Sequence, residues 1–217
     1  KFSEIEQYYN VIDPENGPFL YETRDDFRQR NSFLFNVGSE FKLNDKNSLN
    51  SSLLYSMANK NFKSELDLTD FSSNDIVKNK NHRDVWDNTD ENYIEFLVSY
   101  KTEFIEEGHQ LTFDVKYDQS KSDNQMDILN TNLSPDLSTD QQKTTKIQNY
   151  YTVMGQADYS LPFNADWLFE SGIKANYRDY KNDFNIFNFA PIPRTFEPID
   201  GFENNIGYKE TVLAGYV

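Results

Sequence analysis

The chain has two histidines, His82 and His109, and neither sits in a His-x-x-x-His spacing that would let two imidazoles share one metal ion. Cysteine is absent, which excludes thiolate ligands, a thiol nucleophile and disulfides. No Gly-rich phosphate loop and no Gly-x-Ser-x-Gly nucleophile turn is present. Both histidines read as solvated, His82 in a loop and His109 in a short turn. The carboxylates Asp84, Asp87, Asp90 and Glu91 could offer oxygen ligands to calcium, and Asp118, Asp123 and Asp127 form a second such set. Neither set has the glycine and spacing of an EF-hand-type loop, so both read as plain acidic loops. The chain is therefore expected to be no enzyme and to hold neither metal nor cofactor.

Charge and hydropathy narrow the alternatives. Twenty-one Lys and Arg stand against 36 Asp and Glu, a net charge of −15. A nucleic-acid partner is not expected, because phosphate contacts need a basic face. Mean hydropathy is −0.80, and no run approaches the ~20 apolar residues of a membrane-spanning helix. A membrane β-barrel stays open, since only alternate residues of its strands face lipid. Aromatic residues make up 16% of the chain while hydrophobic residues total 37%, low for a globular core. The aromatics must serve something besides a core.

Period-two alternation supplies the elements that position these residues. From Asn31 to Leu43 the side chains Phe33, Phe35, Val37, Phe41 and Leu43 fall on one face and Asn36, Gly38, Glu40 and Lys42 on the other. Beyond the turn at 44–47 the alternation resumes through Leu49, Leu53, Tyr55 and Met57. The same pattern marks a hairpin of 93–104 with 110–118 and another of 150–161 with 167–177, and a last strand starts near Tyr208. Seven strands are thus expected from 31 to 217, joined as antiparallel up-and-down neighbours. The expected connections alternate between about five residues and about thirty, the long ones spanning 58–92, 119–149 and 178–207. Residues 1–30, with Pro14, Gly17 and Pro18, are expected to form a further outer loop.

Short turns at one end, long connections at the other and strands of about 9 to 13 residues fit part of a large transmembrane β-barrel. In that reading Glu40, Lys42, Glu95, Lys101, Glu103, Asp114, Lys116, Glu170 and Lys174 face the lumen, and Phe35, Phe41, Phe96, Val98, Tyr100, Phe113, Val115 and Ile173 face lipid. A solvated sheet face with weak ion pairs would select the same charged residues. Tyr55, Tyr93, Phe104, Tyr117, Tyr150, Tyr151, Tyr159, Trp167 and Tyr177 lie near strand ends, where amphipathic rings form girdles at the headgroup boundary; in a soluble β-protein they would line core edges or a sugar-binding face. The apolar group Phe184, Ile186, Phe187, Phe189 and Ile192 is expected to fold its loop back over the mouth, in preference to touching a ligand. For the central hairpin, the register that sets Lys101 opposite Asp114 and Tyr100 opposite Val115 is preferred to the one two residues away, because it pairs opposite charges.

Several segments resemble the large barrel of TonB-dependent outer-membrane receptors, in the variety common in Bacteroidetes-type bacteria: GSEFKLNDKNSLNSSLLYS, HQLTFDVKYDQSKSDN with YTVMGQADYSLPF, LFESGIKANYRDYKND and IGYKETVLAGYV. Together they cover most of 31–217. The resemblance implies a receptor in a Gram-negative outer membrane that takes up a scarce iron chelate, glycan or peptide. Its partners would be outer-membrane lipid and, through a plug domain not contained in these residues, a periplasmic TonB-type energy-coupling protein. Seven strands are too few to close a bacterial barrel, and they amount to roughly a third of the wall of a transporter with about 22. The chain is accordingly read as part of a longer protein. The competing readings are a secreted or surface carbohydrate-binding all-β module, and a diffusion porin or assembly component.

Overall fold

The computed structural model describes residues 2–10, 19–72, 76–164 and 167–217. Among the described residues every regular element is a strand: β1 (Phe2–Asn10), β2 (Phe19–Asn44), β3 (Asn47–Phe71), β4 (Val77–Glu103), β5 (Gln110–Ser134), β6 (Ser138–Asn164), β7 (Trp167–Ala190), β8 (Thr195–Pro198) and β9 (Asn204–Tyr216). They form one antiparallel sheet in which β1 to β7 pair in chain order, and β8 and β9 both lie along the remaining edge of β7. The all-β, up-and-down expectation is what the structure has.

The strands run far beyond their expected ends. The supposed connection 58–92 is the outer half of β3 and β4, paired from Ala58↔Glu91 to Phe71↔Val77. Likewise 119–149 belongs to β5 and β6, and 178–190 to β7. The cause is visible in the side chains. Beyond Met57, Tyr117 and Tyr177 the apolar residues are scattered over both faces, so no regular hydropathy alternation survives, yet the backbone ladder continues and polar side chains tie it across strands. Asn59 donates to Asp90 at 2.8 Å, Arg83 to Asn130 at 2.6 Å and Gln148 to the Tyr180 hydroxyl at 2.7 Å. Residues 1–30, expected as a loop, are strand over 2–10 and from Phe19 onward; Pro14, Gly17 and Pro18 lie outside the described residues. Phe184, Ile186, Phe187 and Phe189 are also strand rather than a folded-back loop, and Ile192 stands at a hairpin tip, 90% exposed.

The register of the central hairpin is the one sequence reasoning ranked second. Lys101 lies opposite Thr112, Tyr100 opposite Phe113, Val98 opposite Val115 and Ser99 opposite Asp114. Turn geometry decides it. Phe104 N–H donates to His109 O at 2.9 Å and closes a loop over Ile105-Glu106-Glu107-Gly108 whose last residue has φ +81°. Only glycine takes that conformation without a Cβ penalty. In the preferred register a loop of the same length would be centred one residue along, placing His109 where Gly108 now serves. An exposed cross-strand ion pair, worth roughly 0.2 to 1 kcal/mol, does not outweigh that.

Among the described residues no layer packs on either side of the sheet. Ala58 is the one buried apolar residue among the described residues. Pair by pair, the registers put Phe35, Phe41, Phe96, Val98, Tyr100, Phe113, Val115 and Ile173 on one face, and Glu40, Lys42, Glu95, Lys101, Asp114, Lys116, Glu170 and Lys174 on the other. Gly172 illustrates how tightly the polar face is filled at its edge. The Tyr216 hydroxyl donates to Asp158 at 2.6 Å across this glycine, and a Cβ there would stand 2.5 Å from the Tyr216 ring. Gly172→Val is therefore expected to cost about 1 to 3 kcal/mol by overpacking. Amide exchange in β9 should accelerate, with β3 and β4 unchanged; equal protection of β9 in the variant would refute the assignment.

Candidate functional site

Two faces of one sheet are the sites this fold offers, and their exposure inverts that of a water-soluble protein. Along β5 the apolar Phe113, Val115 and Tyr117 are exposed, whereas the intervening Asp114 and Lys116 are half-buried and Asp118 is 8% exposed. The same alternation holds from Glu91 to Leu97 of β4. Side chains converge on the concave side of a curved sheet and diverge on its convex side, so here the polar groups occupy the sheltered side and the apolar ones stand outward.

The outward face carries a band of limited height. On β2 it runs from Phe33 to Leu43, ten residue steps of about 3.3 Å, which at a tilt near 40° gives a band of about 25 Å. Its upper edge follows Phe33 and Met57, then Ile94, then Tyr117 and Tyr177, stepping across the hydrogen-bonded rows as a tilted strand requires. Rings border it at both ends. Tyr55, Tyr117, Tyr151 and Tyr177 lie at the upper edge, with Tyr151 and Tyr177 centroids 5.8 Å apart. At the short-turn end Phe104 stacks on His109 at 4.1 Å, the His109 ring is bonded to the Tyr159 hydroxyl at 2.9 Å, and Trp167, the first residue of β7, is 70% exposed. Tyr93 and Tyr150 depart from the girdle expectation. Their registers put them on the polar face, where Tyr93 donates to Glu95 at 2.6 Å and Tyr150 accepts from Thr152 at 2.7 Å.

At the level of this band the polar face holds a mixed-charge belt. Lys116 lies 2.9 Å from Glu95 and 3.7 Å from Asp118, and Lys101 is 2.6 Å from Glu103. These links bring four of the expected residues (Glu95, Lys101, Glu103 and Lys116) into contact with charged neighbours. Glu40 and Lys42 share a depression with Lys101 and Glu103 near the turn at 45–46, while Asp114, Glu170 and Lys174 stay apart from the belt's ion pairs.

The candidate calcium ligands are not brought together. Successive strand residues alternate in face, so Asp87 and Glu91 point to the polar side and Asp84 and Asp90 to the other; Asp118 is similarly separated from Asp123 and Asp127. His82 is on strand β4 rather than in a loop, between Asp67 at 2.9 Å and Asp84 at 3.4 Å. The hydrogen bond that its ring donates to the Asp67 carboxylate holds its pKa above the ordinary imidazole value.

The sequence reading misses the most buried charged group among the described residues. Asp26, 3% exposed, accepts from the Nε of Arg24 at 2.9 Å, from Arg28 at 3.0 Å and from the hydroxyl of Ser64 at 2.7 Å. Burial disfavours its charge, but the Ser64 and Arg24 hydrogen bonds and the charge of both guanidiniums outweigh this and hold its pKa below the usual aspartate value. The signal is Arg24, Asp26, Arg28 and Arg30 at spacing two, which puts all four on one face of a strand; in the loop expected for residues 1–30 that spacing carries no such meaning.

Comparison with known sequences was consistent with this geometry. The model of a family described as "Outer membrane protein beta-barrel family" matches residues 102–217, just over half of the chain. No curated protein matches it.

Proposed function

The chain belongs to the outer membrane protein beta-barrel family, and from that premise we propose that it forms part of the wall of a TonB-dependent receptor that takes up a scarce ligand. The observation that carries the reading is the inverted exposure: a band of outward apolar side chains suits lipid contact, and a sheltered, mixed-charge face suits a lumen that is filled rather than open. In this reading Phe35, Phe41, Phe96, Val98, Tyr100, Phe113, Val115 and Ile173 touch lipid. Glu40, Lys42, Glu95, Lys101, Asp114, Lys116, Glu170 and Lys174 face the interior, where a plug coupled to a TonB-type protein would contact them. The polar extensions of β2 to β7 rise above the band as the ligand-facing rim. The protein supplies binding and passage, with no covalent chemistry.

A second reading compatible with the same wall is a diffusion porin. Conductance separates the two. Full-length protein reconstituted in planar bilayers is expected to stay electrically silent if the lumen is plugged; steady open-channel current from the intact protein would overturn the receptor reading in favour of a porin.

A further inference from the structure

Six arginines occur in the chain, and Arg24, Arg28 and Arg30 fall within seven residues on the polar face of one strand. Lys60 faces the same groove from β3, opposite Arg30. The groove, about 610 Å³, is lined by these four cations with Phe62, Asp87 and Thr89. In a protein of net charge −15 this concentration of guanidiniums runs against the general field.

Several of these groups are held ready. Asp26 is the buried carboxylate that fixes Arg24 and Arg28. Arg28 lies over the Phe62 ring at 5.1 Å, which further limits its motion. Arg24 uses only its Nε–H, toward Asp26 and Ser64, and its two terminal nitrogens have no partner among the described residues. Arg30 likewise has none. The acidic groups facing the groove are occupied: Glu91 by Lys60 at 2.5 Å, and Asp87 by Asn124 and Thr89. Planar guanidinium forks oriented in this way match oxyanions in a bidentate manner.

We propose that this groove binds an extended ligand carrying at least two oxyanion groups. Arg24 and Arg30 are six residues apart on one strand, about 20 Å, so a single carboxylate or phosphate cannot reach both. The inference rests on the receptor reading, since only a polar face turned to the lumen places the groove on the inner wall above the band. It names the class of ligand that such a receptor takes.

The test uses full-length protein purified in neutral detergent, titrated by calorimetry to roughly 10 mM with tripolyphosphate, with an oligogalacturonate and with neutral maltoheptaose. Saturable binding of either anion, without binding of the neutral chain, is expected. Tripolyphosphate alone would identify a phosphorylated ligand and oligogalacturonate alone a carboxylated glycan. Arg30→Gln, which leaves the Asp26 cluster intact, should weaken binding severalfold, and Arg24→Gln with Arg30→Gln by about tenfold or more. Lys121→Gln, on the opposite face, should change nothing. Absence of saturable anion binding, equal binding of maltoheptaose, or unchanged affinity in the double variant would overturn the proposal. Equilibrium binding needs no energy coupling and no plug, so its failure leaves the receptor reading intact, and channel current would count against that reading alone.

Discussion

Val115→Arg is expected to destabilise the membrane-inserted protein by about 2 to 4 kcal/mol, the cost of a cation at the midplane of a barrel's lipid face. Val115 lies in the middle of the band, in the row that runs from Ser51 through Val98 and Val115 to Gly155 and Ala175. Its side chain is 53% exposed, so a longer polar group would meet no steric obstacle from the sheet itself. In water the substitution would cost almost nothing. A large loss therefore measures the hydrocarbon that covers the face rather than packing within the protein. Ser99→Arg, on the polar face opposite Asp114, is the matched control and should fall within about 0.5 kcal/mol of the parent. Denaturant titration of folding into lipid vesicles reads both, and equal stability of the two variants would refute the lipid assignment of this face.

The second large effect is expected at Asp26. Replacing it by alanine leaves the Ser64 hydroxyl, 1% exposed, without its acceptor and removes the carboxylate that Arg24 and Arg28 share. An unsatisfied buried group costs about 1 to 3 kcal/mol. The ion-pair contribution is smaller than for a fully buried pair, because the Arg28 side chain is 65% exposed and screened by water. A local loss of about 2 to 3 kcal/mol follows, or amide exchange about 30- to 150-fold faster in β2 and β3 around Arg24 and Ser64. The short-turn ends of the same strands should keep their protection. The pH dependence has a fixed sign. Because the folded pKa of Asp26 lies below the ordinary value, its contribution is present above about pH 4 and is lost as pH falls through the folded pKa. Acid should thus loosen the β2–β3 extension in the parent protein and have no such effect in the alanine variant.

The band was legible in the sequence because alternate burial leaves a hydropathy trace. Wherever one face of a strand meets an apolar medium, period two appears, and it placed Val98, Phe113 and Ile173 on one side and Glu95, Lys116 and Lys174 on the other without any coordinates. It also located part of each of seven strands, the short-turn ends of β2 to β7 and most of β9. The family relationship was legible in part of the same region.

What the sequence could not carry was everything held by the backbone or by pairs distant in the chain. The extensions of β3 to β7 are specified by ladder hydrogen bonds and by polar cross-links such as Asn59 to Asp90, which leave no hydropathy signal. The register of the central hairpin was decided by one residue, Gly108, whose positive φ fixes where the turn must fall. Whether carboxylates could act together depended on strand assignment: Asp84 and Asp87, close in a loop, point apart once they lie on a strand. Asp26 and Ser64, 38 residues apart, meet only because the β2–β3 ladder sets them opposite each other. Alternation determined which way each side chain of the band points, since that depends on the residue and its two neighbours. Tertiary pairing alone decided what each one touches, because contact requires a second strand and a register.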